Sequence, residues 1–144
     1  MDNFKNVFSL EGKTALVVGG GGLGLPIAQA LMENGADIIV ADLKEPEGWI
    51  AEKAAENGRR YFYVQVNLLE DDSIVKMVEE AKQKTGRIDI LVNAAGVNKL
   101  KKAEDYDAKT WDFVLGINLR ALHLVTKEVG KLMIEQQYGR ILSI

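Results

Sequence analysis

The residues best placed to do chemistry form a glycine-rich turn, Val18-Gly19-Gly20-Gly21-Gly22-Leu23-Gly24, between an apolar run and a helical pattern. Gly19, Gly21 and Gly24 satisfy G-x-G-x-x-G, and Gly22 adds another bare backbone unit. Such spacing alone is weak, because glycines gather in many tight turns. Between a strand and a helix it suits one task. Bare backbone lets a pyrophosphate approach, and the helix N-terminus aims N–H groups and its positive dipole end at the phosphates. An acidic residue, Asp42, follows at roughly the 20-residue spacing that dinucleotide recognition uses. A carboxylate there can accept both ribose hydroxyls of NAD and would repel the 2′-phosphate of NADP. Leu43 rather than arginine comes next, and Lys44 is the nearest base, the one feature that favours NADP. NAD is therefore the expected cofactor, with NADP second. The plain alternative is an aspartate that only caps a turn and glycines that only bend the chain.

The elements needed to hold such a site are legible along the chain. Thr14–Val18 (TALVV) is an unbroken apolar run of the kind buried on both faces of a parallel sheet. A helix is expected from about 22, with Leu23, Ile27, Ala30 and Leu31 on one stripe and Pro26 in its first turn, where a missing N–H costs nothing. Asn34-Gly35 ends it. The second strand is expected over 37–41, the second helix over 47–57 before Asn57-Gly58, and the third strand over 61–66. Asp71-Asp72-Ser73 places negative charge at the next helix start, favourable for the dipole. That helix should bury Ile74, Met77, Val78 and Ala81 and stop at Gly86. A fourth strand over 88–92 leads into Asn93-Ala94-Ala95-Gly96, a long helix covers 108–136, and a fifth strand covers 140–144. Alternation of this kind predicts one α/β domain over 1–144. It would be a Rossmann-type doubly wound parallel sheet of about five strands with helices on both faces.

Composition narrows the function. The formal net charge is −3, which suggests neither a nucleic-acid nor an anionic-membrane partner. Cysteine is absent and His123 is the single histidine, which excludes thiolate metal sites, a cysteine nucleophile and multi-histidine relays. His123 reads as a helix-surface residue. No apolar run reaches the roughly 18 residues of a membrane span, and MDNFKNVFSLEGK shows no signal-peptide pattern, so a cytoplasmic location is expected.

With the glycine turn, Asp42 and Asn93-Ala94-Ala95-Gly96 in place, the sequence resembles the short-chain dehydrogenases/reductases along essentially all of its length. The resemblance implies an oxidoreductase that transfers hydride between NAD(H) and a secondary alcohol or ketone. Gly19, Gly21, Gly22, Leu23 and Gly24 would seat the pyrophosphate, and Asp42 with Leu43 would take the adenosine ribose. Asn67 with Leu68, and Asn93, Ala94, Ala95 and Gly96, would flank the adenine and nearby ribose. Asn118 in Gly116-Ile117-Asn118-Leu119-Arg120 matches an asparagine of the family's proton relay, and Asn67 stands where the family usually has aspartate. Ser143 falls where the family has a strand asparagine, and no chemistry is assigned to it. FSLEGKTALV and ENGADIIVADL are reminiscent of sugar-acid and polyol dehydrogenases.

Two departures are visible. The turn is one residue shorter than T-G-x-x-x-G-x-G, and Val18 replaces the threonine. The family's tyrosine followed four positions later by lysine has no counterpart. Tyr61, Tyr63, Tyr106 and Tyr138 are followed there by Gln65, Asn67, Thr110 and Leu142. A lowered tyrosine pKa would otherwise serve as general acid or base. The chain is thus expected to be cut short of the catalytic segment and inactive alone. The fifth strand would then be an apolar sheet edge, which invites association. The surplus apolar residues of the long helix, Phe113, Leu115, Leu119, Leu122, Leu124, Val125, Val129 and Leu132, point equally to a homo-oligomer interface or to the missing segment. A catalytically inactive NAD-binding module is the alternative function. A methyltransferase is set aside, because its acidic residue would precede the turn, where Val17-Val18 stand, and Asn93 to Gly96 would go unexplained.

Overall fold

The computed structural model describes residues 7–46 and 48–144. The stretch 1–6 of the leader read for a signal peptide, and Glu47 at the expected start of the second helix, lie outside the described residues. Five parallel strands form one sheet in the order β3-β2-β1-β4-β5. They are β1 (Thr14–Val18), β2 (Asp37–Asp42), β3 (Tyr61–Gln65), β4 (Ile90–Asn93) and β5 (Arg140–Ser143). Helices α1 (Gly24–Glu33), α2 (Trp49–Glu56), α3 (Asp71–Thr85), α4 (Ala108–Leu115) and α5 (Leu122–Glu135) complete the domain, with a 3₁₀ turn at Ala103–Asp105.

Successive strand residues point to opposite faces, and the core divides accordingly. Ala15, Val17, Ile38 and Val40 pack with Ala28 and Met32 of α1 and Ile50 and Ala54 of α2. Leu16, Val18, Ile39 and Ala41 pack with Ile74, Met77, Val78 and Ala81 of α3 and Val125, Val129 and Met133 of α5. The result is the expected three-layer arrangement. The four residues expected to be buried on α3 all are, and Gly86 ends the helix in the left-handed region at φ 78°.

Three expectations need correction. The buried stripe of α1 is Gly24, Ala28 and Met32. Leu23 and Ala30 are exposed, and Ile27 and Leu31 are half-buried beside the stripe. Two small residues and Met32 form its contact face, and the other large side chains flank it. Second, the helix expected over 108–136 is interrupted. Its hydrogen bonding widens to a π turn over Gly116–Ala121, between α4 and α5. Asn118 lies inside that turn, its amide bonded both ways to the Val97 backbone. Insertions of this kind collect at functional sites. Third, several boundaries move by one or two residues: α1 starts at Gly24, β2 reaches Asp42, β4 begins at Ile90, and β3 and β5 stop one short of expectation.

Asp89, just before β4, is fully buried. Its carboxylate accepts the Thr14 N–H at 3.0 Å and a two-pronged bond from Arg87, fixing the lower ends of β1 and β4.

Candidate functional site

Strand order reverses between β1 and β4, and there the carboxyl ends of the strands open into a crevice. Open parallel sheets bind ligands at such switch points. The crevice has a volume of about 500 Å³. Gly19, Gly21, Gly22 and Leu23 form one wall, Asp42, Leu43, Asn67 and Leu68 a second, and Ala94, Ala95 and Gly96 a third. Eleven of the fourteen residues singled out from the sequence thus meet around one space.

The glycines of the turn have distinct reasons to be glycine. Gly19 sits at φ 106°, donates its N–H to Ala41 O at 2.8 Å, and would put a Cβ 2.5 Å from the Ala95 nitrogen. A Cβ on Gly24 would lie 1.8 Å from the Gly19 carbonyl oxygen. These two let the turn fold against the Ala94–Ala95 backbone. Gly21 and Gly22 differ, because nothing lies within 4 Å of an added Cβ at either. Packing does not demand glycine at Gly21. The bare backbone there faces the crevice, where a pyrophosphate can approach it.

α1 starts behind this turn with no side-chain cap and no acidic residue in its first turn. α3 carries Asp71 and Asp72 in its first turn, and α4 is capped by Asp107, which accepts the Thr110 N–H at 2.7 Å. Lys101 and Thr110 together hold the Asp107 carboxyl far below the usual carboxylate range. The positive end of α1 is therefore left to the crevice, suited to an anion.

Asp42 is the negative group opposite. One carboxylate oxygen accepts the Gly20 N–H at 2.5 Å and the other accepts the Leu43 N–H at 2.6 Å. The acid is thereby tied to the glycine turn, with lone pairs to spare for hydroxyl donors. A dinucleotide fits these features: open backbone for its phosphates, an uncapped helix end for their charge, and a fixed carboxylate for a ribose.

The remaining singled-out residues have other surroundings. Asn67 lines the crevice, but its amide is engaged locally. Its Oδ1 accepts the Leu69 N–H at 3.1 Å and its Nδ2 donates to Glu70 at 2.7 Å, shaping the entry to α3. Gly24 lies beneath the turn rather than on the crevice. Asn93 is buried and donates to Thr126 Oγ1 at 3.1 Å and Ser143 Oγ at 3.3 Å, joining β4 to α5 and β5. Its Oδ1 has no partner among the described residues. Asn118 is exposed and does not line the crevice, but is bonded to Val97, which does, at 2.8 Å in both directions. His123 is exposed, and Lys44 does not line the crevice.

Sequence reasoning missed Ala41, Val66, Leu69, Val97, Phe113 and Ile117, which complete the lining. Ala41 and Val66 simply precede Asp42 and Asn67 at strand ends. Phe113 and Ile117 are spaced as neighbours on one helix face, and that spacing next to Asn118 was an available signal.

Comparison with known proteins agrees with this geometry. The family model for short chain dehydrogenase matches residues 13–144. A 2-dehydro-3-deoxy-D-gluconate 5-dehydrogenase of Dickeya dadantii is 34% identical over 141 residues, covering 96% of this chain and 55% of the relative. An NAD-dependent glycerol dehydrogenase of Listeria innocua is 34% identical over 142 residues, covering 98% of this chain and 55% of the relative. The crystal structure of a short-chain type dehydrogenase/reductase from Mycobacterium marinum superposes with a TM-score of 0.89 at 25% identity, covering 94% of this chain and 56% of that one. The chain spans about half the length of the curated relatives it matches.

Proposed function

The chain belongs to the short-chain dehydrogenase family, and from that premise we propose that it is the NAD-binding part of an oxidoreductase acting on a secondary alcohol or ketone. The observation that carries this reading is the union of glycine turn and acid: Asp42 reaches across to the Gly20 N–H at the mouth of the crevice. The backbone at Gly21 and Gly22 and the N-terminus of α1 would hold the pyrophosphate. Asp42, with Leu43 beside it, would accept the adenosine ribose hydroxyls and disfavour a 2′-phosphate. The Asn67–Leu68 and Ala94–Gly96 walls would flank the adenine and the neighbouring ribose. Bound nicotinamide supplies the hydride acceptor or donor. Asn118 would hold the Val97 backbone in place at the far wall and so shape the route from crevice to reacting centre.

The polyol and sugar-acid class is the favoured substrate class, supported by the names of the two relatives above. Equilibrium titration with NADH and NADPH tests the cofactor assignment. NADH should bind more tightly, and Asp42→Ala should weaken NADH about 10-fold to 100-fold, as expected for hydrogen bonds to a charged group. NADPH should lose far less. Tighter NADPH binding by the parent chain would overturn the assignment. A turnover assay with polyols and NAD, run on the full-length protein, tests the substrate class: polyol-dependent NAD reduction is expected, and none with any polyol or sugar acid would overturn that class.

A further inference from the structure

Asp42 is the last residue of β2, and past it the chain leaves the sheet. Its carboxylate keeps one tether, the Leu43 N–H, only while the peptide joining Asp42 to Leu43 holds its orientation. The other side of that peptide is held from β3. The Asp42 carbonyl accepts the Val66 N–H at 2.9 Å and also the Tyr63 hydroxyl at 3.1 Å. The next carbonyl, Leu43 O, accepts the Gln65 Nε2 at 3.1 Å. Tyr63 and Gln65 are two apart on one strand, so they share a face of the sheet and reach the same stretch of backbone.

We propose that Tyr63 and Gln65 are positioning residues for cofactor selection: they fix the backbone that aims the Asp42 carboxylate at the adenosine ribose. Neither touches the crevice, so they act through Asp42. The Tyr63 phenol is suited to the task. Burial first, then the Asp42 and Glu45 carboxylates, raise it above its ordinary range, so it remains a donor throughout neutral pH. A carboxylate accepts two hydroxyls only with its lone pairs correctly directed, whereas repulsion of a 2′-phosphate depends on charge alone. Loosening the peptide should therefore cost NADH more than NADPH.

The proposal rests on the NAD assignment above, and the test separates the two. NADH and NADPH are titrated into the chain, into Tyr63→Phe, and into Gln65→Met, whose position is exposed. Both are repeated in the Asp42→Ala background. Tyr63→Phe should weaken NADH about threefold to tenfold, the range for one lost hydrogen bond, with NADPH changed less than about twofold. Gln65→Met should act in the same direction and less. In the Asp42→Ala background both effects should vanish. Equal losses for the two cofactors, or losses that persist without Asp42, would overturn the proposal. Failure of the NAD assignment looks different: the parent chain shows no NADH preference and Asp42→Ala changes nothing, which removes the basis for a selection role as well.

Discussion

The two flanks of the sheet are built differently. On one side, the middle of β2 is closed by helices on both faces against the fully buried central strand β1, and the outer strand β3 is itself largely half-buried. On the other, β5 pairs with β4 alone and all four of its residues are exposed, with Ile141 and Leu142 at 45% and 53%. Between them runs Asn93, bonded to Ser143 on one side and facing the closed core on the other. The contrast teaches where the crevice gets its rigidity. The glycine turn, Asp42 and the Ala94–Gly96 wall all rise from strand ends with complete packing beneath them. β5 contributes no residue to the crevice lining, whose helical wall comes from Phe113 and Ile117 of α4 and the π turn.

The sharpest way to break this comparison is inside the turn. Gly24→Ala forces a Cβ against the Gly19 carbonyl. It should abolish NADH binding and lower stability by about 1–3 kcal/mol, the usual range for overpacking, read by titration and thermal melting. A pair of truncations then compares the flanks. Ile39→Ala, in the closed core, should cost about 2–5 kcal/mol. Leu142→Ala on β5 should stay within about 0.5–1 kcal/mol, as for an exposed site. Equal costs in denaturant melts would erase the distinction.

Asn93→Ala tests the seam. It removes the bonds to Thr126 and Ser143 and should cost about 1–3 kcal/mol, with β5 amides exchanging faster than those of β1. Smaller still is Gly21→Ala, which meets open space. Its melting temperature should match the parent, while NADH affinity falls because the added methyl stands where a phosphate would approach.

The smallest effect is at Tyr61, on the same face of β3 as Tyr63. Its hydroxyl has no partner among the described residues, and burial pushes the phenol up from 10.0 to about 12. A folded-state value above the unfolded one means that the neutral phenol is favoured by folding. That contribution is intact below about pH 10 and is lost as pH rises toward about 12. Tyr61→Phe should therefore change stability at neutral pH by less than about 1 kcal/mol and flatten the alkaline decline seen in pH-dependent melts.

Much of this molecule is readable from its residues. β1 appears as drawn because four consecutive apolar residues, Ala15 to Val18, with glycines behind them admit few other structures. α3 appears because large apolar residues at helical spacing sit between acids and a terminal glycine. The meeting of the glycine turn and Asp42 was legible because a strand–turn–helix and the next strand end bring residues at that spacing to one edge of the sheet. Reading failed where small residues share the packing with a large one. The contact face of α1 is Gly24, Ala28 and Met32, and a stripe drawn through the large side chains misses it. It failed again at Gly116–Ala121, where the widened helix turn carries the tertiary bond between Asn118 and Val97, a long-range contact that local propensity does not reveal. The supporting roles of Tyr63 and Gln65 were hidden for the same reason, since both act on backbone brought near by strand pairing.

The most direct test of the central claim, that the closed flank carries the cofactor, is to titrate NAD into the isotope-labelled chain and map its amide resonances. Shifts should concentrate at Gly20 to Leu23, Leu43, Asn67 and Ala95 to Gly96, and leave Arg140 to Ser143 undisturbed. Shifts gathered on β5, or none at all in a chain that unfolds cooperatively, would contradict it.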